Sequence, residues 1–481
     1  MSRLLTIVWM VLIILTAVLT LTGCAYNAAT GKRQLNLFSE SQEIGLGQQA
    51  DAEVIASYGL YPDSALQKYV HQLGTAIAKT SERPNLPWTF RVVDDPSVNA
   101  FAIPGGFIYI TRGLMTHVDT EAELAGVIGH EIGHVTAQHS MHTMSTQQIT
   151  QLGVAAGMMI EPKLQKFGEY VSAGLGLLFL KFSRDDEKQA DRLGFRYMVR
   201  ANHDPRQMVR TFELLNRLSG DSGGRLPEWM STHPNPENRI ANFQKEIDTL
   251  TRDLKTMSVN RDSYLDRIDG MIFGENPREG FFNDNRFYHP EMAFQFDFPA
   301  GWQTVNQKTA VAGVSANQDA VLQITIAQGS SPDAAAQAFF GQQGMQSSGV
   351  QSRTVNGLPT VSGQFRAQTE DGSILQGRAT FVSYKGNIYQ ILGYTPDASW
   401  ATYQSAITNS MATFKALTDD TILKMQPNRV KILKLTKGAS LQALATQSKS
   451  PVSLATLALI NQTAESTGFK TGDRVKMVVA P

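Results

Sequence analysis

A chain of 481 residues is too long for one hydrophobic core, so two to four domains are expected. Hydrophobic residues make up 42% and charged residues 18%, which excludes a disordered polymer. Lys+Arg and Asp+Glu each total 43, giving zero net charge; with no dense Lys/Arg run, nucleic acid is excluded as a partner.

The chain opens with Arg3 and the apolar run "LLTIVWMVLIILTAVLTL", ending at Leu21-Thr22-Gly23-Cys24. Length alone would allow an uncleaved membrane anchor, but a basic start, an apolar core and small residues before a cut site describe a secretory signal. The "LTGC" ending resembles the lipobox of bacterial lipoproteins, which implies a signal peptide at 1–23 and lipidation of Cys24. By the same resemblance, Ala25 points to the outer membrane of a Gram-negative bacterium, facing the periplasm. Cys24 is the only cysteine. Once it is lipidated, no disulfide or metal thiolate is available, and any metal site must use His and carboxylates.

Residues 25–38 read as a tether and a turn. A helix capped by Ser39 follows, then a second helix at about Asp63 to Ser81. Pro84 and Pro87 precede a short strand in "WTFRVVDD". A turn at Gly105-Gly106 leads into the strand Phe107 to Thr111, which is a candidate for pairing with an extended substrate backbone as well as for ordinary sheet core. Helical periodicity runs from Thr120 to about His142. Two apolar pieces between Gln148 and Phe182 are each too short to span a membrane and read as buried helices. Helices continue through "DDEKQADRLGFRYMVRA", "PRQMVRTFELLNRL" and "NPENRIANFQKEIDTL", with a loop at "GDSGGRLPEW".

From His289 the pattern alternates like strands: "AFQFDFP", "VLQITIA", "LPTVSGQFRA", "ILQGRATFVSY" and "NIYQILGY". Turns are expected at Asp371-Gly372 and Gly386-Asn387. Helices at "PDAAAQAFFGQ" and "SWATYQSAITNSMATF" suggest a sheet with helices on one face. The last piece has the order strand, helix, helix, strand. It distantly resembles the LysM peptidoglycan-binding module but carries Gly438-Ala439-Ser440 where that module has Gly-Asp-Thr. The expected class is α+β: a mostly helical domain with a small sheet at 24–275, a sheet domain of unknown role at 276–424, and a small βααβ domain at 425–481.

Within "EAELAGVIGHEIGHVTAQHS", His130 and His134 differ by about 40° around a helix and can face one ion. Glu131 lies about 100° from His130, placed to reach a water at the metal without ligating it. Gly133 would permit close packing against a neighbour. His139 does not fit the metzincin spacing, which needs a Gly three and a His six residues after the second ligand. It lies about 140° around a continuous helix from His134. A third ligand must come from elsewhere. "SRDDEKQADRLG" offers Asp185, Asp186 and Glu187, among which spacing alone does not choose, and acids at a helix start are also explained by the helix dipole.

"NAFAIPGG", "HEIGHVTAQH", "SRDDEKQAD" and "STHPNPENRI" occur in the order seen in the zinc metallopeptidase family of the CAAX prenyl proteases (gluzincin type). The resemblance covers about Ser39 to Gly274 and is strongest to the soluble, BepA-like periplasmic quality-control branch. It implies a zincin-type domain with one Zn²⁺ per chain, held by His130, His134 and Glu187. It also implies Asp191 as the acid that orients a ligand histidine, and His233 and Arg239 at the cleft. Two roles are open for these last two: donors to a tetrahedral oxyanion, or, for His233, a latch at zinc's fourth position.

The chain departs from the family in two ways. It lacks the several spans of the membrane-embedded branch, which makes a prenylated CAAX substrate improbable, and its tail is not the tetratricopeptide array of the best-known periplasmic members. The expected function is a lipid-anchored metalloendopeptidase in which Glu131 is the base, acting on misfolded or stalled envelope proteins. The alternatives are a metal-binding chaperone without proteolysis and a cell-wall-binding lipoprotein that reaches peptidoglycan through its C-terminal piece.

Overall fold

The computed structural model describes residues 24–158, 181–221, 229, 233, 238–369 and 372–481. The signal segment at 1–23, the apolar run at 170–180, the loop at 222–228 and Asp371 of an expected turn lie outside them. Two compact units emerge. The first joins Gly59–Gly274 to Asn428–Ala480 and the described residues up to Ile55; the second is Glu275–Pro427.

In the first unit, helix Glu40–Tyr58 starts in a capping box between Ser39 and Gln42, and Asp63 caps helix Ser64–Ala78. Gly105 and Gly106 take φ of 82° and 96°, the left-handed turn expected there. Strand Phe107–Thr111 is buried along its whole length. It pairs in parallel with Thr89–Val93 on one side and antiparallel with Ala100–Ile103 on the other. Both its edges are therefore occupied, and it cannot pair with a substrate; the core alternative holds. The edge strand beside the long central helix is Ala100–Ile103.

That central helix, Glu121–Thr136, is buried at every residue from Ala122 onward, as its apolar and small residues around the full circumference require. Thr120 caps it by accepting from the Glu123 amide at 3.0 Å. The expected helix to His142 is interrupted: Gln138 adopts φ 57°, and a new helix, His139–Met158, begins at once. Residues 25–38 are not a loose tether. Strands Cys24–Asn27 and Lys32–Leu35 form a hairpin. Its Asn27 Nδ2 donates to Thr136 O at 2.9 Å and its Gln34 Nε2 to Ala137 O at 2.8 Å, capping the end of the central helix.

The C-terminal segment has the expected order: strand Arg429–Lys434, helices Leu441–Ser448 and Leu454–Ile460, strand Arg474–Val479. It is docked through backbone bonds between 270–273 and 428–430, such as Gly270 N to Val430 O at 2.8 Å. Lys476 is fully buried. Its Nζ donates to Thr116 O at 3.1 Å and to Val118 O at 3.0 Å and forms an ion pair with Asp119 Oδ1 at 2.9 Å, at the threshold of the central helix.

The second unit carries a seven-stranded antiparallel sheet running from Met345–Val355 at one edge to Gln303–Asn306 at the other. Along strand Ile374–Tyr384, Ala379 and Phe381 pack with helix Pro332–Phe340, whereas Val382 packs with helix Trp400–Met411. Alternate residues of a strand face opposite sides, so the two helices cover opposite faces rather than the single face expected. The hairpin turn after this strand is centred on Lys385 and Gly386, both with positive φ, one residue earlier than expected. Among the described residues, no helix is long and apolar enough to cross a membrane.

Candidate metal centre

His130 and His134 project from the central helix, and Glu187 comes from helix Arg184–Arg200, which begins in a Ser183–Asp186 capping box. These two helices touch backbone to backbone because glycine stands at the contact. A Cβ at Gly133 would lie 2.9 Å from Ala190 O, and one at Gly194 would lie 2.9 Å from His130 N. A larger residue at either would push Glu187 away from the imidazoles. His233 follows Trp229 by one turn, its amide donating to Trp229 O at 2.8 Å, and its ring lies against the indole at 4.8 Å.

One ligand atom from each of His130, His134, Glu187 and His233 lies within 4.8 Å of all the others, and all four residues are buried. His130 Nε2 is 3.1 Å from His134 Nε2, 3.5 Å from Glu187 Oε2 and 3.4 Å from His233 Nδ1. His134 Nε2 is 3.4 Å from Glu187 Oε1. Ligands at zinc's usual bond lengths in a tetrahedron sit roughly 3.3 Å apart, so this donor set fits a zinc ion. Glu187 Oε2 and both Glu131 oxygens are buried without a hydrogen-bond partner, an arrangement that is costly unless a cation or water serves them.

The surroundings fix which imidazole nitrogens face inward. Asp191 Oδ1 lies 3.0 Å from His130 Nδ1, so that nitrogen carries the proton and Nε2 keeps its lone pair. Arg239 grips the same carboxylate through Nε at 2.7 Å and Nη2 at 2.5 Å, and its guanidinium lies over the Phe212 ring. Behind His134 a second relay runs: His134 Nδ1 is 2.9 Å from His139 Nδ1, and His139 Nε2 is 2.8 Å from Gln189 Oε1. The Gln189 acceptor puts the His139 proton on Nε2, so His139 Nδ1 accepts from His134 and leaves His134 Nε2 free to ligate.

Burial lowers the pKa of His130 and His134, keeping both neutral as ligands must be. Burial works to raise the Glu187 carboxyl, but His233, His134 and His130 outweigh it and hold it ionised. Burial pushes Glu131 up to about 8, against the opposing charge of His233, whose Nε2 lies 3.7 Å from Glu131 Oε1.

Every residue expected at the site is brought together there: His130, Glu131, His134, Glu187, Asp191, His233 and Arg239. The geometry chooses among the three acids. Asp186 closes the capping box with Ser183 and lies 3.6 Å from His139 Nε2, Asp185 is exposed beside Lys188, and only Glu187 faces the imidazoles of His130 and His134. Gly133 packs closely, as expected. Sequence reasoning missed His139 as the support for His134, because it assumed an unbroken helix. It also missed Trp229 and Phe182, whose ring lies 4.1 Å from His134.

Residues 64–247 match the model of peptidase family M48. The beta-barrel assembly-enhancing protease of Yersinia pestis is 30% identical over 222 residues, 44% of this chain and 45% of that protein. The mitochondrial metalloendopeptidase OMA1 of Arabidopsis thaliana is 31% identical over 211 residues, 42% of this chain and 41% of that protein. OMA1 of Schizosaccharomyces pombe is 30% identical over 232 residues, 47% of this chain and 66% of that protein. The chain thus spans less than half the length of the first relatives it matches. Among solved structures, PsbP of Synechocystis covers 27% of this chain and 91% of its own at 17% identity, with a TM-score of 0.23, too low to assign a fold. Sequence match and donor geometry agree that the matched segment is a zinc metalloprotease domain.

Proposed function

We propose that the protein is a metalloendopeptidase of the bacterial periplasm, anchored to the outer membrane by lipid at Cys24, that cleaves misfolded or stalled envelope proteins. The observation that carries the activity is the buried four-donor cluster beside Glu131, whose carboxylate oxygens have no hydrogen-bond partner. His130, His134 and Glu187 would hold zinc, which would supply the Lewis acidity to make a water nucleophilic near neutral pH. Glu131 is buried beside the ligands with no hydrogen-bond partner on either oxygen, which leaves its carboxylate available for general acid–base duty. It accepts the proton of that water and returns it to the leaving amine. Asp191 and His139 hold the two ligand imidazoles in the binding tautomer, and Arg239 in turn holds Asp191. Among the described residues no strand pairs with the outer edge of Ala100–Ile103, beside the metal helix, and that edge offers backbone groups to an extended substrate.

His233 directs Nδ1 at the ligands, 2.9 Å from Glu187 Oε1 and 3.4 Å from His130 Nε2, the position a neutral imidazole would need to fill zinc's fourth corner as a latch. Its Nε2 side, toward Glu131, supports the oxyanion role. Envelope location rests on the lipobox resemblance and on the named activity of the assembly-enhancing relatives. The βααβ segment adds peptidoglycan as a ligand on its LysM resemblance alone, tested by pull-down of the full chain on insoluble sacculi. The principal test is substrate trapping in cells with Glu131→Gln. Envelope proteins should co-purify with that variant and not with wild type, and recovery of the same set from both would remove the quality-control reading.

A further inference from the structure

We propose that the second unit holds a binding site for a phosphate group, on the sheet face covered by helix Trp400–Met411. A pocket there is lined by Arg353, Arg378, Thr360, Thr380 and Thr408, with Met411 closing one side. The strands explain how the two arginines meet. Arg353 lies on the edge strand Met345–Val355 opposite Thr360, and Thr360 lies opposite Val382 on the strand that also carries Thr380 and Arg378. Residues 378, 380 and 382 share one face, and both arginines line the same pocket as the threonines.

The unit's other arginines have partners of opposite charge or carbonyls. Arg286 is forked onto Asp297, Arg366 onto Asp397, and Arg278 donates to Leu423 O. Among the described residues no carboxylate pairs with Arg353 or Arg378. Arg378 Nη1 donates to Ser362 Oγ at 3.0 Å, while its Nε is buried and meets no acceptor. Burial, and then the charge of Arg353, make the Arg378 cation less favourable than usual. Like charges on one sheet face repel, and a sealed guanidinium N–H without an acceptor is costly. One oxyanion between the two forks relieves both. A carboxylate has oxygens for a single fork, whereas a phosphate has oxygens for two, so the phosphate is the better match.

The test is calorimetric titration of the full chain with inorganic phosphate at fixed ionic strength, beside sedimentation with phosphatidylcholine vesicles with and without phosphatidylglycerol. Saturable phosphate binding is expected, weakened about tenfold or more in Arg353→Gln and in Arg378→Gln. It should be unchanged in Arg366→Gln, whose guanidinium already has Asp397. The peptidase site is intact in all three variants, so phosphate held by zinc cancels from the comparison. Arg353 is exposed, so its variant tests the site even if Arg378→Gln does not fold. Arginine-dependent binding of the anionic vesicles alone also supports the site and identifies a lipid as the source. No response to either probe, or binding equal in Arg353→Gln and wild type, overturns the proposal.

Discussion

Replacing Asp191 with Asn separates two functions of one carboxylate. Its Oδ1 orients His130 at 3.0 Å, and both oxygens neutralise Arg239, whose side chain is only 5% exposed. Losing the support behind a metal-ligating histidine weakens zinc about ten- to a hundredfold, or about 1.4–2.7 kcal/mol. Leaving the buried guanidinium with only Glu187 Oε2, 3.7 Å from its Nη2, as a charged partner costs the metal-free fold up to about 3 kcal/mol more. A competing chelator reads the first quantity, and chemical denaturation of the metal-free protein reads the second. Adding Arg239→Met to Asp191→Asn removes the orphaned charge, so it should restore much of the metal-free stability while zinc stays weak. Wild-type zinc affinity in Asp191→Asn would refute the orienting role. If the second substitution restores affinity as well as stability, the carboxylate acts only through Arg239.

Lys476→Met removes the ammonium buried against Asp119 and the carbonyls of 116–118. It should lower stability by about 3 kcal/mol in denaturant titration, and an unchanged midpoint counts against an integral C-terminal segment. His117 is buried with its pKa lowered to about 4 by desolvation, the nearby Lys476 charge adding to this. The unfolded chain binds that proton near 6.5, so between these values it carries more protons and stability falls as pH falls. The loss approaches roughly 3 kcal/mol by pH 4 and should shrink in His117→Gln; equal pH slopes in the two proteins refute it. For His233→Ala, the oxyanion role predicts turnover down about a hundredfold with zinc retained. The latch predicts raised activity with self-cleavage, and wild-type zinc content, activity and integrity would reject both.

The site was legible because its chemistry is local in sequence. Two histidines four apart and a glutamate beside the first are placed by helix geometry alone, and Gly133 signalled the close approach. Choosing Glu187 over its two neighbours needed the family resemblance, since capping and burial, not spacing, separate the three. His139 was lost because nothing in "HVTAQHS" announces that Gln138 turns left-handed; its support comes from the hairpin, more than a hundred residues earlier. In the second unit, the strands with one buried face showed alternation. Strand Met345–Val355 is exposed on nearly every residue and showed none, although Asn356-Gly357 after it forms a positive-φ hairpin turn. The docking of residues 428–480 onto the peptidase unit buries Lys476, a residue that reads from sequence as an ordinary surface lysine.

The proposed function stands on His130, His134 and Glu187 holding zinc while Glu131 supplies the proton chemistry beside it. The most direct measurement is zinc content and casein cleavage of Glu131→Gln against wild type, in the same preparation. An amide cannot accept a proton from the attacking water, and Glu131 is not a ligand, so about one zinc per chain should be retained while cleavage is abolished. Cleavage at the wild-type rate by the zinc-loaded variant would contradict the account.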